Sequence, residues 1–266
     1  MIIDIHGHLG NINFAPFWQA GADRLKDYLR ESGVDRLCLS SSRSIMYDIR
    51  EGNRELANVL SADEGEHFYG YAVISPTFPE SQEDLALLGE CPWFRGVKIH
   101  PDYHGYDLAV PSNYRFVENV IARTPMALFH VSCMPGTGFS QATTIIRMAK
   151  DHPGTRFVLA HVAGMYQNGS YPFFPNLDKL EAISDAGLPD NVWIDTAHYL
   201  LYAYPGTLEK MVRLAGPKHV VFGTDAPLQG PMQMRFLIET VQSLDISPED
   251  KELILFRNAK TILGLE

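Results

Sequence analysis

Asp4-Ile5-His6-Gly7-His8 places two imidazoles at i and i+2 near the start of the chain. The apolar pair Ile2-Ile3 just before it reads as the opening of a short buried strand. Side chains along a strand repeat every two residues, so His6 and His8 point the same way. If that strand ends at a barrel mouth, both rings converge on one point. Two neutral imidazoles a few Å apart make half a site for Zn²⁺ or a similar ion. Gly7 between them keeps the approach open. The plainer reading is coincidence, two of ten histidines falling close together. Later apolar runs, however, end in the same kind of residue: Lys98 and His100, His130, His161, Asp195 and Asp225. Taken singly, His130 and His161 read as satisfied core histidines, Asp195 and Asp225 as turn or cap residues, and Lys98 as a snorkelling amine. A polar group straight after an apolar run is costly unless paired, and a set of them at one mouth reads as a site.

The elements that position these residues alternate between apolar strand and amphipathic helix. The runs Val34–Leu39, Phe68–Ile74, Phe94–Ile99, Met126–Val131, Arg156–His161, Val192–Asp195 and Val220–Phe222 read as strands two to eight. Helices are expected over Asp23–Glu31, Glu51–Ala62, Glu80–Leu88, Asn113–Ala122, Ser140–Lys150, Asn176–Ala186, Leu208–Leu214, Gln233–Leu244 and Glu249–Leu263. Eight strands, each followed by a helix, is the pattern of an α/β fold of the (β/α)8 TIM-barrel type, with residues 1–266 as a single domain. A doubly wound open sheet would usually carry a Gly-rich phosphate turn after its first strand, and none is there. In a barrel the active site forms where the strands end. The longest irregular stretches, His100–Ser112 and Gly164–Pro175, both follow strand ends.

The composition, 45% hydrophobic and 20% charged over 266 residues, is that of a globular chain with ample core. The net charge of −10 argues against nucleic acid or an anionic membrane as partner and leaves a small-molecule substrate. No apolar run approaches the roughly 18 residues of a membrane span, and no leader is visible at the N-terminus. Cys38, Cys91 and Cys133 form no CxxC pair. A reduced, cytoplasmic setting is the expectation. Tyr166–Pro175, rich in aromatics and proline, is expected to be either a lid over the mouth or a homodimer contact.

The ordered set resembles the amidohydrolase superfamily, and within it the amidohydrolase-related branch that includes aminocarboxymuconate semialdehyde decarboxylase. The matching pieces are Ile3–His8, Gly96-Val97-Lys98-Ile99-His100-Pro101, Leu128-Phe129-His130, Leu159-Ala160-His161, Trp193-Ile194-Asp195-Thr196, Phe222–Pro227 and the closing Asn258–Leu265. The resemblance implies a metal-dependent TIM barrel in which His6, His8, His130 and Asp225 hold one divalent ion, zinc by preference and manganese as the alternative. It also implies that His161 lies just beyond the ion. Relatives with two metals use a carboxylated lysine near the position of Lys98, but this branch usually holds one, so Lys98 and His100 are expected to contact the substrate instead. Two departures stand out. His161-Val162-Ala163-Gly164 lacks the glycine pair common after that histidine, and no long inserted loop is present, which suggests a small substrate.

Zinc lowers the pKa of bound water to about 7. The first expectation is therefore hydrolysis of an amide, ester or lactone bond in a small, carboxylate-bearing substrate through a metal-activated water. Asp225 would shuttle the proton, His161 would steady the developing oxyanion and Asp195 would orient a ligand histidine. The alternative is metal-dependent, non-oxidative decarboxylation of an aromatic or unsaturated acid, with Arg43 or Lys98 holding the carboxylate. Many decarboxylases of the branch carry ExH where this chain has HxH, which weighs towards hydrolysis. A third reading is a non-catalytic metal- or ligand-binding barrel.

Overall fold

The computed structural model describes residues 1–12, 20–133, 138–167, 175–197 and 205–265. Eight parallel strands run in sequence order, each paired with the next: Ile3–Leu9, Arg36–Ser41, Phe68–Val73, Phe94–Ile99, Met126–Phe129, Arg156–Leu159, Val192–Asp195 and Val220–Val221. The ring closes through the chain just after the eighth strand. Ile5 N–H donates to Phe222 O (3.0 Å), Asp225 N–H to His6 O (2.8 Å) and His8 N–H to Ala226 O (2.7 Å). Closure leaves no sheet edge between first and last strands, and it carries Asp225 to the backbone of the histidine pair.

Two apolar layers hold the barrel. Ile5, Tyr71, Leu128, Val158, Trp193 and Val221 fill its interior, and Ile262 and Leu263 of the last helix plug the bottom. Leu37, Leu39, Val97, Phe129, Phe157, Ile194 and Phe222 face outward into the larger core beneath the surrounding helices. Away from register shifts in the first and fourth strands, the strands contribute alternate residues to the two layers, as their period of two requires.

Most expected elements are present to within a few residues, and three differences have local causes. The expected helix over Glu80–Leu88 is a 3₁₀ helix, Pro79–Ala86, followed by a short α-turn, Leu87–Glu90. Three-residue periodicity turns Ser81 and Asp84 to the same side, where Ser81 Oγ accepts from Ser75 N–H and Asp84 Oδ2 from Asn53 Nδ2. The polar stretch after the second strand forms a short helix, Ser42–Met46, capped by Ser41. The closing helix is interrupted by a π turn, Leu253–Arg257, where Ile254 O leaves the helix ladder to accept from Phe222 N–H.

One buried carboxylate ties the third strand to the helix before it. Asp63 accepts from the amides of His67 and Phe68 (2.7 and 2.9 Å) and from His67 Nδ1 (2.8 Å), and pairs with Lys26 Nζ at 3.1 Å. Burial alone would raise its pKa, but these donors outweigh it and hold the carboxyl below the usual carboxylate range. A depressed carboxylate stabilises the fold above its unfolded value near about 3.9, and that stability is lost as pH falls through the folded value. Asp63→Ala is therefore expected to cost about 2 kcal/mol in urea unfolding at pH 7, and less at pH 3. An equal cost at both pH values would assign the loss to packing.

Candidate active site

Strand parity delivers part of the site directly. Lys98 and His100 lie two apart with the outward-facing Val97 and Ile99 flanking Lys98, and His130 is two past the inward Leu128. Asp195 follows the inward Trp193 at the same spacing, and Asp225 lies four past Val221.

The other residues arrive through backbone irregularity. Ile3 and Ile5 face the interior, so strict alternation would send His6 and His8 outward. A register shift between Asp4 and Gly7 reverses the parity. Gly7 then faces Leu37 so closely that a Cβ would lie 2.7 Å from its Cδ1, and His6 and His8 turn inward. His161 follows the inward Ala160 and would likewise point out. His161, Val162 and Ala163 instead take left-handed backbone angles (φ 59°, 54° and 58°), a conformation costing about 1–2 kcal/mol per residue. Asp195 Oδ1 holds this turn by accepting from His161 N–H at 2.8 Å. Gly223 makes room at the centre, since a Cβ there would sit 3.2 Å from those of both His6 and Asp195.

The resulting cavity has a volume of about 170 Å³. His6, His8, Lys98, His130, His161 and Asp225 bring the polar chemistry, and Ile12, Ile45, Met46 and Leu228 form an apolar wall. His6 Nδ1–H donates to Asp195 Oδ2 (2.7 Å), which turns Nε2 into the cavity, 3.5 Å from Asp225 Oδ1. His8 Nε2 is 2.8 Å from the same oxygen, and Ser40 Oγ lies 3.0 Å from His8 Nδ1. Burial pushes the His8 imidazole down to about 4 against the opposing pull of Asp225, so the ring is neutral. Lys98, 1% exposed, donates from Nζ to His6 Nε2 at 2.9 Å. Burial lowers its ammonium to about 8, with Asp225 and Asp195 opposing, and it stays charged at neutral pH. His130 Nδ1 is 3.1 Å from His161 Nε2, and its Nε2 is 3.4 Å from Asp102 Oδ2.

Not every residue singled out above lies where expected. Arg43 is half-exposed on the short helix Ser42–Met46, 3.9 Å from Glu51, and does not line the cavity; its neighbours Ser42, Ile45 and Met46 do. The reason is the helix itself, which turns alternate sides of that segment to the mouth and to solvent. His100 lines the cavity, but it also caps Pro101–His104 by accepting Tyr103 N–H on Nδ1 (3.4 Å), and it stacks on His130 at 3.9 Å. Burial, then neighbouring positive charge, keeps it well below the usual histidine range. Residues 168–174, within the expected lid or dimer segment, lie outside the described residues. Ser40 and Asp102 were not singled out from sequence. Ser40 was legible in principle, two residues past the inward Cys38. Asp102 depends on the turn after His100-Pro101 and carried no periodic signal.

His6, His161 and Asp225 each offer one donor atom, all within 4.8 Å of one another. His161, placed beyond the ion by the resemblance, thus belongs to the three-residue donor group found among the described residues. Imidazole nitrogen with carboxylate oxygen is the donor set taken by zinc and manganese. The lone pair of His6 Nε2 already faces the positive charge of Lys98. The cluster fits a divalent cation, with His8 and His130 as further donors at its rim. Asp195→Asn removes the acceptor that orients His6, and is expected to weaken Mn²⁺ binding by about 10- to 100-fold in a metal titration. Unchanged affinity would mean that Asp195 serves the left-handed turn alone.

Solved structures share this architecture across the chain. A protein described as amidohydrolase II superimposes with a TM-score of 0.74 at 16% identity, covering 99% of this chain and 100% of the other. A dihydroxybenzoic acid decarboxylase from Polaromonas sp. JS666, with bound manganese and 2-nitroresorcinol, gives 0.69 at 16% identity, covering 99% and 96%. A 5-carboxyvanillate decarboxylase from Novosphingobium aromaticivorans, complexed with manganese, gives 0.69 at 14% identity, covering 100% and 96%. No curated protein matches the sequence significantly. Among the described residues no helix is long and apolar enough to cross a membrane. The family profile described as amidohydrolase matches residues 3–265, and the chain belongs to that family.

Proposed function

We propose that this protein is a metal-dependent enzyme that removes CO₂, without oxidation, from a small aromatic or unsaturated carboxylic acid. The observation that carries the reading is the buried Lys98 ammonium beside His6 Nε2, in a cavity of about 170 Å³ that Ile12, Ile45, Met46 and Leu228 also line. Lys98 already feels the Asp225 and Asp195 carboxylates, and a substrate carboxylate in the cavity would add an anion beside the buried ammonium; the space suits a single ring or short chain. The decarboxylases of the same fold, holding manganese with ring-sized ligands, support the choice of reaction.

In this reading Lys98 Nζ donates to a substrate oxygen and fixes the acid's orientation. Asp195 Oδ2 keeps His6 Nε2 aimed at the donor cluster that would hold the cation. The divalent cation, when bound, supplies Lewis acidity to the substrate oxygens. Asp225 carries a proton to the substrate carbon, the C–C bond to the carboxylate breaks, and its electron pair restores the double bond as CO₂ leaves. Asp225 is then reprotonated from solvent. Ile12, Ile45, Met46 and Leu228 shield that carbon from bulk water.

Hydrolysis of a carboxylate-bearing amide, ester or lactone is the second reading. The His6-Gly7-His8 pair favours it, as does Asp225 Oδ1, placed beside both imidazoles to accept a proton from water. Protein stripped by chelator and reloaded with Mn²⁺ or Zn²⁺ would be given hydroxybenzoates and unsaturated acids with CO₂ read by mass spectrometry, and in parallel carboxylate-bearing lactones, esters and amides in a pH-stat. Metal-dependent CO₂ release is the expected result. Acid release without CO₂ would replace it with hydrolysis, and turnover indifferent to metal would remove both.

A further inference from the structure

The cavity shares part of its wall with a second, larger groove. Ile45, Met46 and Tyr103 line both. The groove, about 590 Å³, runs between the segment Ser44–Arg54 and the loop carrying Phe78. Its surface is unusual for this protein. Among the described residues, Tyr47, Phe78 and Tyr103 are three of only eight large apolar side chains left exposed, and all three line this one groove. Solvent-exposed aromatics gathered in a concave site mark a binding surface.

Its basic side chains do not select an anion. Arg54 pairs with Glu51 at 2.8 Å, and Arg50 with Glu83 and Asp84 at 3.1 and 3.3 Å. The basic side chains are therefore already matched, and the aromatic faces are what the groove offers a ligand. Tyr103 stands at the junction. Its ring stacks on His100 at 4.4 Å and is 51% exposed, so one part of it belongs to the cavity wall and another to the groove.

We propose that the substrate has two parts: a carboxylate-bearing head that enters the cavity, and an uncharged aromatic tail that crosses Tyr103 into the groove and packs against Tyr47 and Phe78. This rests on the carboxylate reading of the cavity and adds a substrate class to it. The three aromatics then act as specificity-determining residues. A head of one ring fills the small cavity, and the tail adds contact area where no chemistry occurs.

The test is calorimetric binding to the Mn²⁺-loaded protein of three probes: benzoate, 3-benzyloxybenzoate and 4-benzyloxybenzoate. The ether lets the second ring find the groove from either position. At least one benzyloxybenzoate is expected to bind about tenfold more tightly than benzoate, the size of a well-placed aromatic contact. The double variant Tyr47→Ala/Phe78→Ala, altered only at exposed side chains, is expected to remove that gain and return the probe to the benzoate value. Benzoate binding with no gain from either tail, or a gain that survives in the double variant, overturns the groove and leaves the cavity reading intact. Failure of all three carboxylates to bind overturns the cavity reading and the groove with it.

Discussion

Asp225→Asn is expected to lower turnover by about a thousandfold or more and to strip most of the metal from the purified protein. Two roles meet at this side chain. It belongs to one donor group with His6 and His161, and its Oδ1 lies beside the imidazoles of both His6 and His8. Losing a positioned proton carrier alone costs about 10²–10⁴ in rate, and a lost ligand adds to that. Asparagine is the cleaner substitution because Asp225 sits at φ 64°. Asparagine tolerates that left-handed conformation, whereas alanine would add backbone strain to the chemical loss. The variant would be read by elemental analysis and by single-substrate kinetics with added Mn²⁺. Metal retained at one equivalent with turnover gone would confine Asp225 to proton transfer. Full turnover without metal would end the mechanism proposed above.

Lys98→Met is expected to have the next largest effect, with an opposite sign in one readout. The methionine side chain keeps most of the volume of a fully buried residue while removing its charge. If the ammonium holds the substrate anion, its loss is expected to lower kcat/KM about 100-fold, mainly through KM, as for a buried charge deprived of its partner. Metal affinity is expected to rise, because Lys98 Nζ donates to the same His6 Nε2 that faces the metal cluster, and its charge repels the cation. A purely structural role would lower stability and metal affinity together. Equal substrate affinity in the variant would instead show that the carboxylate does not lie against this lysine.

Much of the architecture was legible because it rests on local periodicity. Strands buried on both faces read as apolar runs, the intervening helices show apolar faces, and the fourth and seventh strands fall where the runs place them. His130 and Asp195 follow from the same rule, each lying at inward parity just past or at the end of a regular strand, and Lys98 and His100 follow from the regular half of the fourth strand, beyond the register shift that puts both Phe94 and Val97 on the outer face. The α/β barrel and the polar mouth were therefore contained in the order of residue types.

The tertiary structure decided which way the remaining groups face, and through what contacts. His6 and His8 enter the barrel because closure against Phe222–Ala226 accompanies a register shift in the first strand. His161 enters because a left-handed turn, held by the Asp195 carboxylate, rotates it past its parity. Neither device has a local signature, since both depend on groups some 30 to 220 residues away. Arg43 and Asp102 are placed by short local turns instead: the helix Ser42–Met46 leaves Arg43 half-exposed, and the turn after Pro101 brings Asp102 beside His130. Sequence determined the residue types and the strands that carry them, because hydrophobic periodicity is local. Their convergence was decided by barrel closure and backbone irregularity, because those balance contacts between segments far apart in the chain.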